Sequence, residues 1–234
     1  MQCVILSGGL ATRLRPMTDT VPKSMVPVAG KPFLEYQVEL LKKNGIYKLA
    51  LCVGHLHEQI TSHFGDGTAF GVSISYSYET DRLLGTGGAI RNALSLLHDK
   101  FFVMYGDSYL PIDFRVVWQF SERFGKEPLM VVYRNRSSYD ASNVVFGDGM
   151  VRLYDKQNRT PAMEYIDYGL LVLNTDLFMS MPKGQSFDLA GLLSSVAAEG
   201  RLRGYEVQKR FFEIGSCDGL RDFECYVRQH REAL

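Results

Sequence analysis

The sequence predicts an α/β protein: a Rossmann-like three-layer sandwich on a mostly parallel mixed sheet, with a β-rich C-terminal portion. Three observations carry this expectation. Short runs of β-formers alternate with longer segments of helical period, as in βαβ units. The first such run empties directly into a glycine pair, Gly8-Gly9. After about Tyr133 the alternation gives way to hairpin-like strands.

Strands are expected at residues 2–7, 48–53, 73–76, 101–105 and 129–133. Between them, residues 33–44 set Leu34, Val38 and Leu41 on one helical face, and Gly45 is the expected helix-ending residue. Residues 58–64, 88–97 and 113–124 have the same helical character, so three crossovers build a doubly wound core. Further along, residues 143–146 and 150–154 predict a hairpin turning at Asp148-Gly149. Strands at 169–173 and 205–207 and helices at 189–198 and 218–229 complete the expectation. No linker or internal repeat interrupts residues 1–234, which predicts one domain with a front half over about 1–133 and a rear half over about 134–234.

Composition narrows the function. Of 234 residues, 26 are Lys or Arg and 26 are Asp or Glu, so no net charge field exists to hold nucleic acid or a membrane surface. The apolar start, Cys3 to Leu6, is too short for a signal peptide, and no stretch is long and apolar enough to cross a bilayer. Cys3, Cys52, Cys217 and Cys225 lack C-x-x-C spacing and read as reduced core thiols of a cytoplasmic protein. His55 and His57 lack further ligands nearby and read as solvated loop residues.

In open parallel sheets ligands bind beyond the carboxyl ends of the strands, which makes the loop after the first strand a candidate site. From Gly8 to Lys31 it carries three prolines, little helical period and four basic residues against one acid. Glycine lets backbone N–H groups approach an anion, while Arg13 and Lys23 can neutralise phosphate oxygens. A plain connecting loop explains these features about as well, and neither G-x-G-x-x-G nor a P-loop is present.

The longer pattern decides between them. Gly8-Gly9-Leu10-Ala11-Thr12-Arg13-Leu14-Arg15-Pro16, then Pro22-Lys23, then Gly30-Lys31-Pro32, resembles the signature of the nucleotide-sugar pyrophosphorylases, the sugar-1-phosphate nucleotidyltransferases. The resemblance continues through Leu84-Gly85-Thr86-Gly87-Gly88-Ala89, Gly106-Asp107, Tyr154-Asp155-Lys156, Asp167-Tyr168-Gly169 and Glu213-Ile214-Gly215-Ser216. It implies a nucleoside triphosphate and a sugar 1-phosphate as partners, Mg2+ as cofactor, a nucleotide-binding front half and a sugar-phosphate-binding rear half.

By the same resemblance, Leu6, Ser7, Gly8, Gly9, Gly85 and Gly88 should line the nucleotide, with Arg13, Lys23 and Asp107 catalytic. Asp107 and Glu213 should ligate the metal, glutamate standing where relatives commonly carry aspartate. Lys156 should hold the sugar phosphate, with Asp167 and Gly169 against the sugar; Asp167 replaces the asparagine of many relatives.

Short members that transfer guanylyl to D-glycero-D-manno-heptose 1-phosphate look most similar, which favours GTP, with Glu79 a further candidate for base choice. Residues 53–76 also resemble the muramic acid 1-phosphate uridylyltransferases, which use UTP. A glycosyltransferase would need an Asp-x-Asp motif, which Asp107-Ser108-Tyr109 lacks. An inactive regulatory subunit would have no need of Arg13, Lys23 and Asp107. Hexapeptide repeats of the β-helix that some relatives carry are absent from these residues, and oligomeric state is not legible.

Overall fold

A computed structural model of the chain describes residues 1–9, 12–79 and 82–230. Strand β1 (Gln2–Ser7) is followed by the basic loop, a minimal hairpin of β2 (Pro27–Val28) and β3 (Lys31–Pro32), and helix α1 (Phe33–Lys43). Next come β4 (Lys48–Val53), α2 (His57–Phe64), β5 (Ser73–Tyr78), α3 (Gly85–Ala93), β6 (Lys100–Tyr105), β7 (Ser108–Tyr109), α4 (Phe114–Glu122) and β8 (Leu129–Arg134). The remainder is β9 (Val144–Gly147), β10 (Met150–Tyr154), β11 (Tyr165–Asn174), α5 (Leu189–Ala198), β12 (Arg203–Val207), β13 (Phe212–Glu213) and α6 (Cys217–Gln229).

Nine strands form one sheet in the order β5-β4-β1-β6-β11-β8-β12-β10-β9. The first four of that order run parallel, as do β8 and β12, while β11 lies antiparallel between β6 and β8. The mixed, mostly parallel sheet is therefore continuous across both halves of the chain. Along β1, Cys3 and Ile5 face one core and Val4 the other, so the strand is apolar on both faces from Cys3 to Leu6. Helices α1, α2, α4 and α6 cover the first face, and α3 and α5 the second, giving three layers.

Local chemistry sets the element ends. Helix α1 stops where Gly45 turns to φ +73; Gly45 N–H then donates to Lys42 O at 2.9 Å and Ile46 N–H to Leu41 O at 2.9 Å, a Schellman closure. The β9–β10 turn has positive φ at Asp148 (53) and Gly149 (73), the two-residue turn whose twist suits a hairpin.

Several expectations need correction. Helix α3 begins at Gly85 rather than at residue 88 and ends in a 3-10 turn at Leu94–Leu96. The basic loop holds 3-10 turns at Thr12–Leu14, Met17–Asp19 and Lys23–Met25. Asp167 to Gly169 lies inside β11, where the register against β8 slips between Asp167 and Leu171. Cys3 and Cys52 are buried, but Cys217 and Cys225 on α6 are exposed. His57 is half-buried at the start of α2, its ring edge-on to Tyr78 at 5.0 Å.

Helix α6 docks through Phe223, which is fully buried and meets Phe33, Tyr36 and Tyr109 at ring distances of 5.1, 5.4 and 4.9 Å. Phe223→Ala should therefore cost about 3–5 kcal/mol in urea unfolding, as large-to-small core changes do. A loss below about 1 kcal/mol would mean that α6 is not held by this cluster.

Candidate active site

The carboxyl ends of β1, β4 and β6 open into a cavity of about 260 Å³. Its walls include Leu6, Ser7, Gly8 and Gly9 from the end of β1, Lys23 and Ser24 from the basic loop, Glu79, Gly85 and Thr86, and the Gly106-Asp107 turn. Gly106 is required by packing: a methyl group there would lie 2.6 Å from Leu6 O. Ser7 Oγ and Ser24 Oγ are buried in this wall without a hydrogen-bond partner among the described residues, so the cavity offers unspent polar groups. Glu79, half-buried, accepts a 2.6 Å hydrogen bond from Leu84 N–H. Burial raises its pKa, and the Leu84 N–H offsets part of that rise.

Two ion pairs stand beside this cavity. Lys23 Nζ contacts Asp107 Oδ2, and Arg13 Nη2 lies 3.3 Å from Glu213 Oε1. Backbone pairing brings the two carboxylates together: Glu213 on β13 registers with Ser108 on β7, and Ile214 N–H donates to Asp107 O at 2.9 Å. Burial raises the Glu213 pKa first, and the neighbouring Asp107 charge adds to it; Lys23 and Arg13 act in the opposite sense. A methyl group on Gly215 would lie 2.9 Å from Arg13 Nη2 and 3.2 Å from Lys23 Nζ, so all four charges converge on one point.

A second cavity of about 440 Å³ adjoins the first, and Thr86, Tyr105 and Asp107 line both. Lys156 and Gly169 line the second, with Asp140, Arg159 and Asp188, none of which the sequence singled out. Asp188 could have been found as the residue before helix α5, whose Ala190 N–H it caps at 3.2 Å. Burial works against the Lys156 charge, but Tyr105 and Asp167 more than reverse this and hold its pKa above the ordinary lysine value.

The geometry revises two expected roles. Asp167 lies in the wall of the second cavity, but its side chain is 2% exposed and its oxygens are occupied. Oδ2 accepts from Tyr154 OH at 2.9 Å and Tyr105 OH at 3.2 Å, and Oδ1 from Gly169 N–H at 3.0 Å. Lys156 Nζ is 3.7 Å from Oδ2, so Asp167 anchors Lys156 rather than presenting free oxygens to a sugar. Gly88 is buried, is not among the residues lining the first cavity, and donates its N–H to Phe187 O at 3.2 Å. Its missing side chain makes room for Gln185 O, which a methyl group would meet at 2.6 Å. Leu10 and Ala11 of the glycine-arginine motif lie outside the described residues.

Magnesium is bound through one or two carboxylates, with phosphates and water completing an oxygen octahedron. Asp107 and Glu213 fit that donor set, being two hard oxygen ligands pressed together at a cavity mouth. No cluster of three or more acidic, histidine or cysteine ligands occurs among the described residues.

Glycine backbone, paired cations and paired carboxylates at a parallel sheet edge define a nucleotide-handling α/β protein of the phosphoryl-transfer class. The chain belongs to the nucleotidyl transferase family, whose profile matches residues 2–229. The D-glycero-alpha-D-manno-heptose 1-phosphate guanylyltransferase of Campylobacter jejuni is 30% identical over 218 residues, which cover 92% of this chain and 95% of the relative. The N-acetylmuramate alpha-1-phosphate uridylyltransferase of Neisseria meningitidis is 29% identical over 226 residues, 95% of this chain and 96% of the relative. A UTP--glucose-1-phosphate uridylyltransferase of Synechocystis is 30% identical over 228 residues, 90% of this chain but only 58% of its own length. The fold is shared with the inositol-1-phosphate CTP transferase of T. maritima at TM-score 0.82 and 21% identity, over 100% of this chain and 97% of that one. Among the described residues no helix is long and apolar enough to cross a membrane.

The raised Glu213 pKa has a signed consequence. A carboxyl that holds its proton more tightly folded than unfolded costs the folded state stability as pH rises from the unfolded pKa through the folded one, and the full cost persists above. Glu213→Gln should therefore melt higher than wild type at neutral pH without divalent cation, with the difference vanishing below the ordinary glutamate range. Thermal melts across pH in chelator check this, and a lower melting temperature for the variant at neutral pH would refute it.

Proposed function

We propose that the protein is a magnesium-dependent sugar-1-phosphate nucleotidyltransferase of the cytoplasm, transferring a nucleoside monophosphate from a triphosphate to a sugar 1-phosphate. The observation that carries this reading is the junction of the two cavities at Asp107, which lines both, with Lys23 in the first and Arg13 and Lys156 in the second. All four cysteines are free thiols, which suits a reducing compartment.

In the reaction, an oxygen of the sugar phosphate held by Lys156 attacks the α-phosphorus in line, and the bond from that phosphorus to the β-bridging oxygen breaks, releasing pyrophosphate. No residue need act as general base, because a phosphate monoester with a second pKa of about 6 is already ionised. Arg13 and Lys23 exchange their carboxylate partners for the triphosphate oxygens and stabilise the charge that spreads over them. Asp107 and Glu213, freed of those cations, would hold Mg2+, with nucleotide oxygens completing its shell. The bound ion supplies further neutralisation of the phosphates and the leaving group.

GTP and a D-glycero-D-manno-heptose 1-phosphate are the proposed pair. Glu79 supports guanine: a carboxylate in the nucleotide cavity can accept from the adjacent N1–H and N2–H donors of that base, whereas uracil offers one donor. UTP with a muramic acid 1-phosphate is the second reading. Arg159, with no ion pair among the described residues, lines the second cavity and suits a sugar bearing its own carboxylate. Pyrophosphate release across four triphosphates and a panel of sugar 1-phosphates tests the whole proposal. It fails, in favour of a regulatory subunit, if no pair reacts in the presence of Mg2+.

Arg13→Ala and Lys23→Ala should each lower kcat by about 100-fold or more, the cost of losing one preorganised charge contact, with cooperative unfolding retained. Near-normal turnover in both would remove them from the catalytic machinery. Glu79→Gln should narrow the preference for GTP over UTP by roughly 10- to 100-fold in kcat/KM, the worth of a charge-assisted hydrogen bond. An unchanged ratio would assign base choice elsewhere.

A further inference from the structure

Helix α1 carries one polar side chain, Gln37, that is 0% exposed and is not among the residues lining either cavity. It stands among the buried positions of the helix, where an amide is tolerated only when hydrogen bonds offset its burial. They are met in one specific way. Nε2 donates to Tyr105 O at 2.9 Å and to Ser108 O at 2.7 Å, the two carbonyls that bracket Gly106 and Asp107. Two carbonyl acceptors can be served only by the NH2 end of the side chain, so its orientation follows from chemistry. Oε1 is buried without a partner among the described residues, so the two donors are satisfied and the acceptor is not.

We propose that Gln37 is a positioning residue that clamps the turn at residues 105–108 and so sets the Asp107 and Glu213 carboxylates for a divalent cation. The inference rests on the metal-dependent reading above. Its physical basis is a short chain of contacts. Gly106 N–H donates to Leu6 O at 3.0 Å, which ties one end of the turn to β1. Gln37 ties both ends to α1. Ser108, whose carbonyl it grips, is the register partner of Glu213, and Asp107 O accepts from Ile214 N–H. One buried amide thus governs the backbone from which both carboxylates project. Magnesium demands near-ideal octahedral geometry, so small displacements of this backbone weaken it more than they weaken nucleotide contacts made elsewhere.

The test compares full-length wild type with Gln37→Met, which keeps the volume and withdraws both donors. Mn2+ affinity is measured by electron paramagnetic resonance with the α,β-methylene analogue of GTP, and in parallel of UTP; analogue affinity is also measured in chelator. The expected result is Mn2+ binding weaker by about 10-fold or more, with the Mg2+ concentration for half-maximal turnover rising in step. Analogue affinity in chelator should change less than about two-fold, a split that a merely destabilising substitution would not produce. Unchanged Mn2+ affinity in Gln37→Met, alongside its loss in Asp107→Asn, overturns the role of Gln37 alone. Unchanged Mn2+ affinity in Asp107→Asn overturns the metal reading beneath it. Should Gln37→Met fail to fold, Gln37→Asn carries the same comparison with the amide drawn back by one methylene, and the same outcomes decide.

Discussion

The site depends on one electrostatic constraint: two cations and two carboxylates converge where the two cavities meet, and the more buried pair cannot be split cheaply. Lys23 and Asp107 are only 18% and 20% exposed, so each would carry a large desolvation cost without the other. Arg13 is 66% exposed, and its pairing with Glu213 contributes little by itself. What the pairs hold is composition. On the proposed reading, a metal–triphosphate complex would bring the opposite charge to each of these groups. The raised pKa of Glu213 reflects its burial first and then the Asp107 charge beside it, which Lys23 and Arg13 oppose.

The sheet explains why these groups meet at all. Parallel strands β1, β4 and β6 discharge their carboxyl ends at one edge, which yields the glycine wall and the Asp107 turn. Insertion of antiparallel β11 beside β6 then brings the Lys156 side of the molecule against it. At the register slip in β11, Gly169 takes φ +94 and Asp167 is turned inward to collect two tyrosine hydroxyls and Lys156. A bulge of this kind re-aims side chains that regular pairing would have sent elsewhere.

Much of this was legible in the sequence, for identifiable reasons. β1, β4 and α5 have the bounds that their apolar runs and flanking residues imply, because burial on both faces or a clear cap leaves little freedom. The hairpin turn was legible because Asp-Gly encodes its dihedral angles. For β11 only the strand over 169–173 was legible; its earlier residues, through Asp167-Tyr168, and its antiparallel place between β6 and β8 depend on long-range pairing. The ion pairs were equally invisible, since 84 and 200 residues separate their partners. Family resemblance supplied Arg13, Lys23, Asp107 and Glu213 as a set, but it could not show that they neutralise one another. Gln37 carried no signal, because a single glutamine in an amphipathic helix reads as surface.

The glycine-rich segment at the start of α3 shows how a correct motif can carry an incomplete reason. Three glycines before a helix suggest bare backbone for phosphate. Yet Gly87 and Gly88 both donate their N–H groups to Phe187 O, and Phe187 N–H returns a bond to Leu84 O at 2.9 Å. Thr86 Oγ1 donates to Asp188 Oδ1 at 2.5 Å and accepts from Leu189 N–H at 2.9 Å. Arg82 and Arg91 reach Gly184 O and Met181 O on the same strap. Glycine is needed there because backbone meets backbone; at Gly85 a methyl group would lie 2.6 Å from Phe187 O. Since Thr86 lines both cavities and Asp188 lines the second, residues 181–189 tie the walls of the two cavities into one piece. An in-line transfer between two separately held phosphates requires that rigidity, because its rate depends on the distance and angle between ligands that never share a binding residue's charge.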